Sequence, residues 1–169
     1  MPNNNDVPHC EIMTKSCSPS PPTTIIGPEL VQIFGTSVTQ TVDSLAIALL
    51  CSTEQISIPD ITRDFAVTSI DGCLAIEIYT TDLYYFEYAI TTNSGGSPFG
   101  GLVNRVGGPP LENSISLPED FIEPNILRKR FSFGLTAGEV LQLYIFNPNL
   151  QTIDYTVTSS FLSITNINI

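Results

Sequence analysis

Asp82-Leu-Tyr-Tyr-Phe-Glu-Tyr-Ala-Ile-Thr91 is the stretch from which the fold can be read. β-Branched and aromatic residues follow one another here without a helical period. Alternate positions divide into two sets, Leu83, Tyr85, Glu87 and Ala89 against Tyr84, Phe86, Tyr88 and Ile90. Side chains of a strand alternate between its faces, so this division predicts a strand with one heavily apolar face. Turn residues bound it, Asp71-Gly72 and Thr80-Thr-Asp82 before and Asn93-Ser-Gly-Gly-Ser97 after, and neither end carries a helix cap. The expectation is a central strand of an antiparallel β-protein.

The flanking chain has the same character. Leu30–Phe34 and Ser37–Val42 alternate, Leu45–Leu50 reads as a buried strand, and Gln55–Ile58 is short before Pro59. Arg63–Ile70 leads through Asp71-Gly72 into Cys73–Tyr79, and Asp-Gly between two alternating runs is the strongest short hairpin signal. Residues 93 to 112 hold Gly95, Gly96, Gly100, Gly101, Gly107 and Gly108 with Pro98, Pro109 and Pro110, a loop region interrupted by one short strand at Gly101–Val106. Those glycines read as turn formers, since no phosphate-loop or dinucleotide spacing opens a helix there. Ser114–Leu117 and Ile126–Phe133 look like strands around an acidic connector whose carboxylates lack calcium-loop spacing. Glu139–Phe146 and a closing strand or strand pair from Ile153 complete the pattern. With no helix of ten residues or more, roughly eight to ten strands at this turn frequency make a jelly roll or related sandwich.

Charged residues are only 14% of the chain against 42% hydrophobic, so Ser, Thr, Asn and Gln must dress much of the surface. Six Lys plus Arg against 17 Asp plus Glu give a net charge of −11, which opposes binding to nucleic acid or to an anionic membrane surface. Arg128-Lys129-Arg130 is the one basic run, and it reads as a solvated strand edge or a partner for nearby carboxylates. The longest apolar run, Leu45–Cys51, is far short of the roughly 20 residues needed to span a bilayer. Neither a basic start nor an apolar leader is visible at the amino end, so no ordinary export signal is expected.

Residues 1 to 28 hold six of the 13 prolines with many Asn, Ser and Thr, and read as an extended arm ahead of a single domain over 29–169. Cys10 and Cys17 lie in that arm. Linkage by disulfides, unpaired thiols and a metal site are the alternatives there. The metal reading is the poorest, because His9 is the only histidine and no C-x-x-C knuckle is present. Cys51 and Cys73 fall among the strands and are either buried inert thiols or a disulfide. No cofactor is expected.

Three segments carry a resemblance. Asp82-Leu-Tyr-Tyr-Phe-Glu-Tyr88 resembles the G-x-Y-x-F strand of tumour-necrosis-factor-like and complement-like jelly rolls, with Asp82 in place of the usual Gly. Leu135–Leu143 and Ser160–Ile164 are similar to later strands of the same family, in the same order. In addition, Cys10-Glu-Ile-Met-Thr-Lys-Ser-Cys17 with its Pro/Ser/Thr sequel is similar to the amino-terminal segment of exosporium basal-layer proteins of spore-forming bacilli. The resemblance implies a trimeric building block of the spore surface, partnered by its own copies and by other spore-surface proteins, and made without a classical signal peptide. On that basis Cys10 and Cys17 are candidate cross-links, and Tyr84, Phe86, Tyr88, Phe146 and Phe161 are candidate interface residues.

The leading functional expectation is therefore a structural, self-assembling jelly-roll oligomer joined through its arm. The alternative is a trimeric head that binds a glycan or protein receptor, with the tyrosines of 82–91 or the loop 93–112 as contact surface. Enzymatic activity is not expected: a cupin-type metal site needs at least two barrel histidines, and a catalytic triad would have to recruit His9.

Overall fold

The computed structural model describes residues 28–58, 62–93, 96–118 and 125–166. The expected arm, with Cys10 and Cys17, lies outside them. Among the described residues eleven strands follow one another: β1 (Leu30–Gly35), β2 (Val38–Val42), β3 (Ile47–Leu49), β4 (Ser52–Ile58), β5 (Phe65–Ile70), β6 (Cys73–Ile78), β7 (Asp82–Thr92), β8 (Gly100–Arg105), β9 (Ile126–Leu135), β10 (Val140–Phe146) and β11 (Ile153–Asn166). Every strand pairing is antiparallel.

The pairings make two layers. In the first, β11 takes β1 and β2 end to end along one side and β7 on the other, with β4 outside β1 and β9 outside β7. In the second, β10 takes β3 and β6 along one side and β8 on the other, with β5 outside β6. The layers join edge to edge at one corner, where Ser52 of β4 pairs with Leu74 of β6. A disulfide between Cys51 and Cys73 sits beside that pair. The inert-thiol alternative for these two cysteines is therefore set aside: the hairpin brings their Cα atoms to 5.0 Å, within bridging distance.

Alternation on β7 holds as expected. Tyr84, Phe86, Tyr88 and Ile90 have no exposed surface and face the second layer, while Leu83, Tyr85 and Glu87 face outward. Phe86 stacks on its register partner Phe131 at 4.8 Å between ring centroids, and Phe65 meets Tyr84 edge-on at 5.9 Å. Each such side chain contributes about 1.5–3 kcal/mol by leaving water. Gly101 lets the layers approach here, since a Cβ built on it would stand 2.8–2.9 Å from Leu127, Ile90 and Tyr88. Asp71 and Gly72 both take positive φ, 52° and 83°, as the two-residue hairpin turn between β5 and β6 requires.

Two expected strands differ. Leu45–Leu50 is not one buried strand: β3 is three residues long, and Leu45 sits in a turn at φ 55° with 59% of its surface exposed. The buried Asn147 explains this, for its amide donates to the carbonyls of Val42 and Gln151 at 2.8 Å each and ties the 43–46 turn to the 147–151 turn. Ser114–Leu117 is a 3-10 turn (Glu112–Ser114) followed by a single bridge from Ser116 to Gly101. Ser114 is held there because its hydroxyl bonds the backbone of Leu111 and Val103.

At one end of the sandwich the first and last strands close together. The Asn166 N–H donates to the Glu29 carbonyl at 3.0 Å. The Glu29 carboxylate, 2% exposed, accepts from the backbone N–H groups of Arg63 and Asp64 at 2.9 and 3.1 Å, which satisfies a charge that would otherwise be costly to bury.

Candidate functional site

The outer face of the first layer is the surface with the most to offer a partner. Its rows follow from the register. Ile58, Leu30, Thr165, Tyr85 and Ser132 form one row across β4, β1, β11, β7 and β9. Ile56, Gln32, Ser163, Glu87 and Arg130 form the next, and Glu54, Phe34, Phe161, Ala89 and Arg128 the third. At about 4.8 Å between strands each row is about 19 Å wide.

An apolar strip crosses this face from the β4 margin to β11. Phe34 and Phe161 lie side by side at 6.5 Å between ring centroids, both half-buried, and Phe161 stands over Ala89. Ile56, Ile58 and Leu83 are 49%, 55% and 52% exposed. Their neighbours on the inward side, Val31, Ile33, Leu162 and Ile164, are fully buried, so the strands are apolar on both faces. A sheet face that only met water would read polar at these positions.

Charge is confined to the two margins. On β9, Arg130 Nη2 lies 3.2 Å and Arg128 Nε 3.6 Å from the same oxygen of Glu87. Two guanidinium groups thus share one carboxylate. On β4, Glu54 is exposed and makes no ion pair among the described residues.

A smaller cleft of about 450 Å³ opens between Arg105–Gly108 and Thr136–Val140. The Arg105 guanidinium bonds Glu139, donates to the Pro109 carbonyl at 3.2 Å and lies 5.4 Å from the centroid of the Phe133 ring. Glu139 in turn accepts from the Thr136 N–H at 2.6 Å. The pair is occupied in holding two turns together, and the rest of the lining is small residues.

The interface candidates separate. Tyr84, Phe86 and Tyr88 are corrected: each has no exposed surface, and the hydroxyls of Tyr84 and Tyr88 bond the carbonyls of Thr80 and Ser114, both at 2.6 Å, inside the protomer. Phe146 is half-buried on the outer face of the second layer, in register with Ile47 and Gly100. Phe161 stands at the centre of the face described above. Of the loop 93–112, Phe99 and Leu111 are buried in the core and 100–105 is β8, so little of it is available as a contact loop. Tyr85, among the tyrosines of 82–91 expected as contact surface, is the one that faces outward; Phe34, Ile56 and Ile58 carry no such expectation, although Phe34 alternates with Val31 and Ile33 and is readable as outward-facing. Among the described residues no group of three or more His, Cys, Asp or Glu is placed to hold a metal.

No family model and no curated protein matches this chain. Solved structures do. Murine APRIL at pH 8.0 superposes with a TM-score of 0.55 at 12% identity, covering 83% of this chain and 100% of that one. Eiger TNF from S. frugiperda superposes with a TM-score of 0.54 at 13% identity, covering 84% of this chain and 94% of that one. The likeness establishes the fold as a jelly-roll sandwich of the tumour-necrosis-factor type.

Proposed function

We propose that the chain is a non-catalytic head domain that assembles with its own copies, as a trimer, through the outer face of the first layer, and that the assembled head binds a protein or glycan partner. The observation that carries the reading is the apolar strip running from the β4 margin to the middle of that face, with Ile56 and Ile58 exposed and Phe34 and Phe161 half-exposed among the described residues. Large contiguous apolar patches on a folded body mark places where another molecule sits. The fold shared with murine APRIL and Eiger TNF supports a head domain over an enzyme.

The test is the mass in solution of the full chain and of Phe161→Glu. Wild type is expected to be trimeric, and the variant to shift toward monomer with an unchanged circular-dichroism spectrum. A wild type that stays monomeric up to high micromolar concentration would remove the proposal. Partner binding in pull-down or glycan-array form should survive deletion of residues 1–27.

A second reading adds a structural role in the outer layer of a spore, where the same oligomers are fastened to one another and to other spore-surface proteins by Cys10 and Cys17. It is favoured by the likeness of segment 10–17 to exosporium basal-layer proteins and by the low content of charged residues, 14%. Assemblies that persist in Cys10→Ser plus Cys17→Ser would exclude the cross-links.

A further inference from the structure

The two margins of the candidate face carry opposite charge. On β9, Arg128 and Arg130 face outward on either side of Lys129, and among the described residues the one carboxylate paired with them is Glu87, which they share. At the other margin Glu54 is exposed and has no ion-pair partner among the described residues. The register puts Glu54 and Arg128 at opposite ends of one row, Glu54–Phe34–Phe161–Ala89–Arg128.

We infer that copies of the chain meet head to tail, the β9 margin of one against the β4 margin of the next, with Arg128 paired to Glu54 of the neighbouring copy. This rests on the reading of the face as a self-interface and specifies its polarity. The alternatives are worse on charge alone. A two-fold contact of β9 with β9 would oppose Arg128 and Arg130 to their own copies, and a contact of β4 with β4 would set Glu54 against Glu54. Like charges held directly opposite one another across paired strands or an interface are unfavourable.

The strand edges agree with this polarity. Among the described residues β4 is paired beyond Ser52 on its β1 side only, and within Ser52–Ile58 it has no Lys, Arg or Pro to discourage a neighbour. Such an edge accepts another strand readily. A head-to-tail contact closes into a ring if its rotation allows and otherwise propagates, but it never yields an isolated two-fold dimer.

The experiment measures the mass of the full chain against concentration by light scattering for wild type, Glu54→Arg, Arg128→Glu and the double exchange. Each single variant is expected to raise the subunit dissociation constant at least about tenfold, and the double exchange to return it to within about threefold of wild type. Glu54→Gln, which keeps side-chain size, is expected to flatten the salt dependence of assembly. Single variants that assemble as wild type does, or a double exchange no better than the singles, would overturn the pairing while leaving the self-interface standing. A wild type that never assembles would instead overturn the self-interface itself.

Discussion

The hydroxyl of Tyr88 donates to the carbonyl oxygen of Ser114 at 2.6 Å and lies 2.9 Å from that of Gly101, so the middle of β7 is fastened to the segment beside the edge of the opposite layer. Removing the hydroxyl takes a donor from the buried Ser114 carbonyl without opening a cavity, while the Gly101 carbonyl still accepts from the Ser116 N–H. Tyr88→Phe is expected to lower the unfolding free energy by about 1–3 kcal/mol in urea titration, with no change in oligomeric state. A change in association with unaltered stability would return Tyr88 to the interface.

Gly101 is a position where nothing larger fits. The added methyl of Gly101→Ala would stand 2.8–2.9 Å from three buried side chains, the ends of Leu127 and Ile90 and the ring of Tyr88, all of which would have to shift. Overpacking of this kind costs about 1–3 kcal/mol, which thermal melting will show as a drop of several degrees. Gly134, whose Cβ would meet nothing within 4 Å, is the control and should tolerate alanine.

The Cys51–Cys73 bridge closes a separation of 22 residues at the corner where the layers join. In the chain-entropy account such a loop is worth about 3 kcal/mol. Paired replacement by serine is expected to lower the denaturant midpoint accordingly, and dithiothreitol to do the same to wild type but nothing to the double variant.

Burial, and then the nearby Asp64, Asp82 and Glu29 carboxylates, push the Tyr84 phenol well above its ordinary value of 10.0, and burial does the same to Tyr155. The folded state therefore holds these protons more tightly than the unfolded chain does. Their contribution is fully present below about pH 10 and is lost as pH rises beyond it. Alkaline unfolding curves should show stability falling above that point, and Tyr84→Phe should flatten the fall. Equal slopes for wild type and variant would contradict the assignment.

Much of the architecture was legible because strands such as β7 carry their own alternation, and because Asp71-Gly72 can form little but a tight hairpin. What was not legible depended on distant residues. Leu45 belongs to an apolar run, yet Asn147, a hundred positions away, draws its turn outward. The spacing of Cys51 and Cys73 is silent on pairing until the β5–β6 hairpin and β4 place them together. The alternation also showed that Tyr84, Phe86 and Tyr88 share a face, but not that the second layer covers it; that required the pairing of β8 and β10. The face proposed above for self-assembly lies in the other half of the same alternation, at Tyr85 on β7, Phe161 on β11 and Phe34 on β1.

The bond from Asn166 to Glu29 means that the folded body is entered and left at one pole. A few glycines bridging those positions, with fresh termini opened at Asp71-Gly72, would preserve every strand register, so a circularly permuted chain is expected to fold. A passenger fused beyond residue 166 would emerge beside the point where residues 1–27 attach, and both appendages of a closed ring would crowd the same side.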